Sequence, residues 1–304
     1  MNEFELIDLM VSELGDAARG VVLGPGDDGA VTRVPEGCEL VSSIDALLAD
    51  VHFPVAAAAG LVGYRAIMVS LSDLAAMGAE PGFALVALNL PEANESWARE
   101  FARGIADAAN NVDIKIVGGN VSKGPLCVTV SVHGYVPQGR ALTRSDARSG
   151  DVIFVTGALG AAAAAVCEGG LADCQFAEDL SGSARSYFMP QSRVQAGMAL
   201  RGIASSVIDI SDGLLQDLLH ICVASGVGAQ LDSNDVPVAE GADLDQALNG
   251  GDDYELCFTV PVVQADHLPP LGIEATRIGS VRTESGIELD GEPVKGTGYR
   301  HFQR

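Results

Sequence analysis

The stretch QGRALTRSDARSGD, residues 138–151, is polar and turn-rich, lacks hydrophobic periodicity, and divides an otherwise strongly patterned chain. Before it, the spacing predicts a helix over residues 3–18 ending near Gly20, then a strand in CELVSSIDALL. A buried helix follows in GLVGYRAIMVSLSDLAAMGAEP, with a Gly-Ala-Glu-Pro stop. GFALVALNLP reads as a strand, and NESWAREFARGIADAANN as an amphipathic helix with Asn94 at its N-cap. VDIKIVGGN reads as a strand ending in glycines, and LCVTVSVHGYVP as an alternating strand. Beyond the divide the pattern restarts with the strand DVIFVTG and an alanine-rich helix from about Gly160. RVQAGMALRGIA reads as a helix, SVIDIS as a strand, DGLLQDLLHICVASG as a helix and DYELCFTVP as a strand. GIELDGEPV carries Asp-Gly between short strands, a hairpin signal. Alternating strands and helices in both halves imply a layered α/β or α+β class. A length of 304 residues suits one large or two ordinary domains. The boundary is placed in the polar stretch, giving domains 1–139 and 140–304.

The 48% hydrophobic content supplies a substantial core. Mean hydropathy is +0.25, yet no uninterrupted apolar run reads as long enough to span a bilayer. The opening MNEFELIDLM does not read as a secretory signal. Six cysteines form no C-x-x-C pair and read as buried free thiols of a cytoplasmic protein. With 41 acids against 18 bases the net charge is −23, which argues against nucleic acid as a partner. A solvated acidic surface explains many of these charges, but not all of them.

Several aspartates sit in glycine turns or at the ends of apolar segments. They are Asp27 and Asp28 in GPGDDGA, Asp45 in SSIDAL, Asp73 in SLSDLAAMGA, Asp209 and Asp212 in VIDISDGLLQD, and Asp252 and Asp253 in NGGDDYEL. Singly, each has an ordinary reading: Asp73 facing solvent, Asp212 as an N-cap, Asp252 as a turn residue. Together they need partners, because an unpaired carboxylate in apolar surroundings is costly. Lys115 and Lys123 are the only lysines before Lys295, so divalent cations are the economical partner. Mg²⁺ takes oxygen ligands and bridges carboxylates to phosphates. No Cys/His cluster has zinc spacing. VGGNVSKGP and TGALG follow strands and offer backbone donors to an anion. Neither is a Walker A sequence or G-x-G-x-x-G, and the protein-kinase signatures are absent. The residues alone therefore describe a carboxylate-rich, Mg²⁺-dependent phosphate site of no common nucleotide-binding type.

The ordered set GPGDDGAV, SSIDALLADVHF, SLSDLAAMGAEP, VGGNVSKGP, GRALTRSDARSGD, VIDISDGLLQDL and NGGDDYELCF resembles the bacterial thiamine-monophosphate kinases, from the N-terminal helix to GYRHF. That resemblance implies a two-domain fold of the aminoimidazole-ribonucleotide-synthetase type and a homodimer whose N-terminal sheets join. It implies transfer of the γ-phosphoryl of ATP to thiamine monophosphate, directly and in line, with several Mg²⁺ ions. Matched by position, Asp28, Ser43, Ile44, Asp45, Asp73, Asn120, Asp209 and Asp212 fall at metal positions. Gly119, Asn120, Arg144 and Ser211 fall at ATP positions, and His52, Asp252 and Tyr299 at substrate positions. The ordinary alternatives for His52 and Tyr299 are a partly buried loop histidine and a C-terminal packing residue. No residue matches a general base or covalent nucleophile, since the attacking group is already a phosphate oxygen.

Two positions depart from the family pattern. Asn120 stands where GGDT is usual, and Ile44 where Thr commonly precedes the aspartate. Both are assigned with Asp45 to one metal site, which implies a more weakly held ion. They also motivate an alternative, a nucleotide-binding dimer with weakened catalysis. A further alternative is another ATP-dependent member of the superfamily. Its selenophosphate branch would need an early reactive Cys and Lys, whereas Cys38 is the first cysteine and Lys115 the first lysine here.

Overall fold

The computed structural model describes residues 2–14, 20–175, 177–180, 182–268 and 271–299. The first half runs α1 (Glu3–Leu14), β1 (Val21–Leu23), β2 (Val31–Thr32), β3 (Cys38–Leu48), α2 (Ala59–Ala76), β4 (Glu80–Leu90), α3 (Glu95–Val112), β5 (Lys115–Lys123) and β6 (Cys127–Pro137). Four strands form a sheet in the order β3-β6-β4-β5, antiparallel except for β4 and β5. β3 alternates along its length: Ser43 and Asp45 are half-buried, while Leu40, Ile44 and Leu48 are exposed. Helix α2 packs on the inner face, and α3 packs on α2. Asn94 caps α3, its side chain accepting the Trp97 N–H at 3.1 Å, a contact worth about 1 kcal/mol.

The expected helix over 3–18 is observed to Leu14, and residues 15–19 lie outside the described residues. A second difference is larger. The glycines of VDIKIVGGN do not end their strand, because β5 continues through Gly118, Gly119 and Asn120 to Lys123. They accommodate an irregularity in the ladder, where Ile116 pairs with Ala84 but Gly118 already pairs with Leu85. A Cβ at Gly119 would come within 1.9 Å of the Val86 carbonyl oxygen, so only glycine fits beside that bulge.

The second half runs β7 (Val152–Thr156), α4 (Ala161–Glu168), α5 (Gly182–Phe188), α6 (Val194–Leu200), β8 (Ser206–Ile210), α7 (Leu214–Ser225), β9 (Gly228–Leu231), α8 (Leu244–Asn249), β10 (Glu255–Val260), β11 (Ala275–Arg282), β12 (Gly286–Leu289) and β13 (Glu292–Val294). Its seven-stranded sheet has the order β13-β12-β9-β11-β7-β10-β8. The Asp290–Gly291 hairpin is present, with φ of 54° and 84°, the positive pair a tight I′ turn needs. All six cysteines are free; Cys222 and Cys257 are buried, but Cys167 is exposed, unlike the expectation for the set.

Helix α2 is the hinge of the architecture. Among the described residues it is the one helix long and apolar enough to cross a membrane, yet 83% of it is buried inside the protein. Its outer contacts are α5, α6, β8 and β10 of the second half. β8 is an edge strand whose five residues are all buried, consistent with that packing. One apolar helix thereby serves both halves and brings their polar residues together.

Candidate active site

Three carboxylates from three elements converge where α2 meets both sheets. Asp45 comes from the inner face of β3, Asp73 from the last turns of α2, and Asp209 from β8, where it is 6% exposed. The Ser43 hydroxyl donates to Asp73 Oδ2. Burial, then repulsion from Asp73 and Asp209, pushes the Asp45 carboxyl up to about 7. Burial, then Asp73, pushes Asp209 up to about 7, with the Arg144 guanidinium acting in the opposite sense. Carboxyls raised in this way by neighbouring carboxylates lack sufficient cationic neighbours. Beside them the buried Ser72 hydroxyl, ahead of Arg144, works against the rise at Asp209. The donors are all hard oxygens, which suits Mg²⁺. Among the described residues no three acidic, imidazole or thiol groups already stand at metal-ligand spacing. The cluster is gathered in position without being closed into a cage.

The Ser211–Gly213 loop follows Asp209 and leads into α7. The ordinary reading of Asp212 as a helix cap does not hold, since Gly213 occupies that position and makes no side-chain cap bond. Asp217, one turn inside α7, holds the loop instead. Its Oδ2 accepts from the N–H groups of Ser211, Asp212 and Gly213 at 3.0, 3.0 and 3.1 Å. Gly213 has φ +123° and leaves no room for a Cβ against Asn249. The C-terminal segment returns here: the Tyr299 N–H donates to the Asp212 carbonyl at 3.1 Å, with the Tyr299 ring 48% exposed. The Arg144 carbonyl accepts from Ser225 Oγ at the far end of α7.

The third group is buried around Arg65 of α2, which is 1% exposed. Its Nη2 pairs with Asp252 Oδ1 at 2.8 Å, and its Nη1 donates to the Tyr187 carbonyl at 2.5 Å. Its Nε donates to the His52 carbonyl at 3.3 Å, which also accepts the Tyr187 hydroxyl at 2.8 Å. The Tyr254 hydroxyl donates to the same Asp252 Oδ1 at 2.7 Å. Burial works against the guanidinium's charge, but Asp252, ahead of Tyr254 and Tyr187, holds it firmly protonated. The His52 ring is fixed as well, Nδ1 accepting the Leu48 N–H at 3.0 Å. Asp252 and Tyr254 have φ of 70° and 52°, left-handed conformations that cost non-glycine residues about 1–3 kcal/mol each. Asp252 lines an inter-domain cleft of about 650 Å³, together with Tyr64, Asn111 and the Arg193–Glu255 ion pair.

Two expected positions, Ile44 and Asn120, are held away from Asp45, and a third, Asp28, lies on an exposed turn. Asp28 is exposed on the β1–β2 ribbon, its N–H donating to Asp27 Oδ1 at 2.8 Å, a bond that braces the turn. Ile44 is 66% exposed on the open side of the sheet, away from Asp45, so its side chain plays no part in the cluster. Asn120 bonds Ser122 Oγ at 2.8 Å on β5, the edge strand opposite β3. Three inter-strand steps separate those edges, roughly 14 Å. A single chain therefore does not bring Asn120 to Asp45. The backbone donor at the TGALG turn is taken by the protein's own carboxyl: the Gly160 N–H donates to both Asp253 oxygens at 2.9 and 3.0 Å.

Burial pushes Asp253 up to about 8, against the Gly160 hydrogen bond. The unfolded carboxyl titrates near 3.9, so the native state keeps a proton that the unfolded state loses. This group therefore lowers native stability as pH rises from about 4 to about 8. Asp253→Asn is expected to match the parent's melting temperature near pH 4 and exceed it by a few degrees at pH 9. Thermal melts across that range test this, and a pH-independent difference would sink it.

Family models match both halves: the AIR synthase related protein N-terminal domain over residues 26–136 and its C-terminal domain over residues 148–291. The chain is 40% identical to the thiamine-monophosphate kinase of Escherichia coli K12, covering 99% of this chain and 98% of that protein. It is 32% identical to that of Aquifex aeolicus, at 99% and 98% coverage. The crystal structure of thiamine-monophosphate kinase from Stenotrophomonas maltophilia superposes with a TM-score of 0.86 at 39% identity, covering 97% of this chain and 98% of that one. A structure described as AaThiL complexed with AMPPCP and TMP superposes with a TM-score of 0.80 at 31% identity, covering 99% and 97%. The two-domain α/β architecture expected from the sequence is thus the architecture observed.

Proposed function

We infer the chemistry from a membership that these matches establish: the chain belongs to the AIR synthase related family and, within it, to the thiamine-monophosphate kinases. It is a phosphotransferase that uses ATP to phosphorylate thiamine monophosphate, giving thiamine diphosphate and ADP. We propose direct in-line transfer with several Mg²⁺ ions. A phosphate oxygen of thiamine monophosphate bonds to Pγ of ATP as the Pγ–O bond to ADP breaks. Bound Mg²⁺ would supply neutralisation of the charge spread over the transferring group. With a second phosphate pKa of about 6, the nucleophile needs no general base near neutral pH. The gathered carboxylates Asp45, Asp73 and Asp209 carry this reading.

Asp28, Ser43, Asp45, Asp73, Asp209 and Asp212 would hold the ions. Arg144 and Ser211 would meet the nucleotide, and His52, Asp252 and Tyr299 the thiamine end. Residues 1–139 and 140–304 are taken as the two domains, working in the cytoplasm, with no nucleic acid or membrane partner. The separation of Asn120 from Asp45 supports a homodimer. The open side of the four-stranded sheet exposes Leu40, Ile44, Leu48 and Leu85, an apolar strip suited to a second copy. In such a dimer Gly119 and Asn120 of the partner subunit would complete the metal and nucleotide site beside Asp45. Ile44 then belongs to the interface, and Asn120 offers a carbonyl oxygen where the family has a carboxylate.

Incubation with ATP, thiamine monophosphate and Mg²⁺, followed by chromatography for thiamine diphosphate, tests the reaction; nucleotide binding without turnover would instead support the weakened dimer. In the same assay Asn120→Asp is expected to lower the Mg²⁺ concentration for half-maximal rate several-fold, about 1 kcal/mol of added charge attraction near the surface. An unchanged requirement would remove Asn120 from the metal site.

A further inference from the structure

We propose that Arg65, together with Tyr187 and Tyr254, is a positioning residue that sets the geometry of the thiamine end of the site. The inference rests on the reading of His52 and Asp252 as substrate contacts. Those two residues come from different domains: His52 from the turn after β3, Asp252 from the turn before β10. Arg65 is bonded to both, to the His52 carbonyl through Nε and to Asp252 Oδ1 through Nη2. Each contact is doubled by a tyrosine hydroxyl acting on the same acceptor atom, Tyr187 on the His52 carbonyl and Tyr254 on Asp252 Oδ1. The guanidinium plane also lies over the Tyr187 ring at 4.1 Å and faces Tyr254 at 5.8 Å. Both donors converge on Oδ1, which leaves Oδ2 of a cleft-lining carboxylate as the oxygen for a ligand. The left-handed backbone at Asp252 and Tyr254 is held by hydrogen bonds from their N–H groups to the Ser211 and Ile210 carbonyls. A strained turn, a buried cation and the Tyr254 hydroxyl thus define where one carboxylate oxygen points.

The fork matters more than the charge. A lysine would keep the charge but could not serve three acceptors in one plane. Arg65→Lys, Tyr254→Phe and Tyr187→Phe are expected to raise KM for thiamine monophosphate, each tyrosine variant by about tenfold. The affinity for a non-hydrolysable ATP analogue should stay within about twofold of the parent. The tyrosine variants keep their rings and so remain folded if Arg65→Lys does not. Asp252→Asn serves as the reference. If it raises KM for thiamine monophosphate while all three positioning variants leave it unchanged, the role of Arg65 is overturned. If Asp252→Asn itself leaves KM unchanged, the substrate reading of Asp252 fails and this inference falls with it. An equal loss of affinity for both substrates, with a lowered melting temperature, would make Arg65 a structural residue only.

Discussion

Asp73→Asn is expected to lower kcat by on the order of 10³ and, in the absence of metal, to raise the melting temperature by a few degrees. Both effects have one origin. Asp73 is the carboxylate that Asp45 and Asp209 both feel, so it stands at the electrostatic centre of the cluster. A cation bound there supplies several kcal/mol of transition-state stabilisation, and removing the central charge forfeits much of it. Asparagine keeps the shape and an oxygen to accept the Ser43 hydroxyl, so the fold is preserved. Without metal the same charge is a liability, because it repels two neighbours that burial already disfavours. Thiamine diphosphate formation measures the first effect, and melting in EDTA the second. A variant that retains a tenth of the parent kcat, or melts below the parent in EDTA, would falsify this role for Asp73.

Two inactive variants should restore activity when their subunits are mixed. Asp73→Asn removes a charge from the α2 side of the site, and Asn120→Lys places a cation at the opposite sheet edge. If the site joins Asp45 of one chain to Asn120 of the other, each homodimer is dead at both sites. A mixed dimer carries both lesions in one site and neither in the other. Random reassortment makes about half the dimers mixed, each with one working site of two, so about a quarter of the parent activity returns. A site contained within one chain gives no recovery, since every chain carries a lesion. The roughly 14 Å between the edge strands is the reason to expect recovery.

The elements legible in the sequence were those whose signal is local. β3 shows its alternation, α3 its Asn94 cap, and the β12–β13 hairpin its Asp-Gly turn. The glycines of β5 misled because their role depends on the Val86 carbonyl of another strand. β9 and β11 carry little strand signal: GAQL is short, and ATRIGSVR is interrupted by Gly279, where the ladder slips. The carboxylates stood out because charge in an apolar segment demands a partner. Arg65 did not, since an arginine within a helix pattern usually signals an exposed face, and its burial follows from packing against the second half. The gap between Asn120 and Asp45 was invisible for another reason: strand order in a sheet is not chain order.

Helix α2 carries Arg65 toward the Asp252 end and Asp73 into the carboxylate cluster. Eight residues of α-helix separate them, a rise of roughly 12 Å that thermal motion scarcely alters. With Asp252 assigned to the thiamine end as proposed, this interval would act as a gauge for molecular length. A molecule that touches Asp252 and presents its phosphate at Asp73 must match that interval, whatever its affinity for either end. Inserting one residue between Arg65 and Asp73 would turn one end by about 100° relative to the other. On that assignment selectivity for reach follows from helix pitch, a property that no single contact in the site possesses.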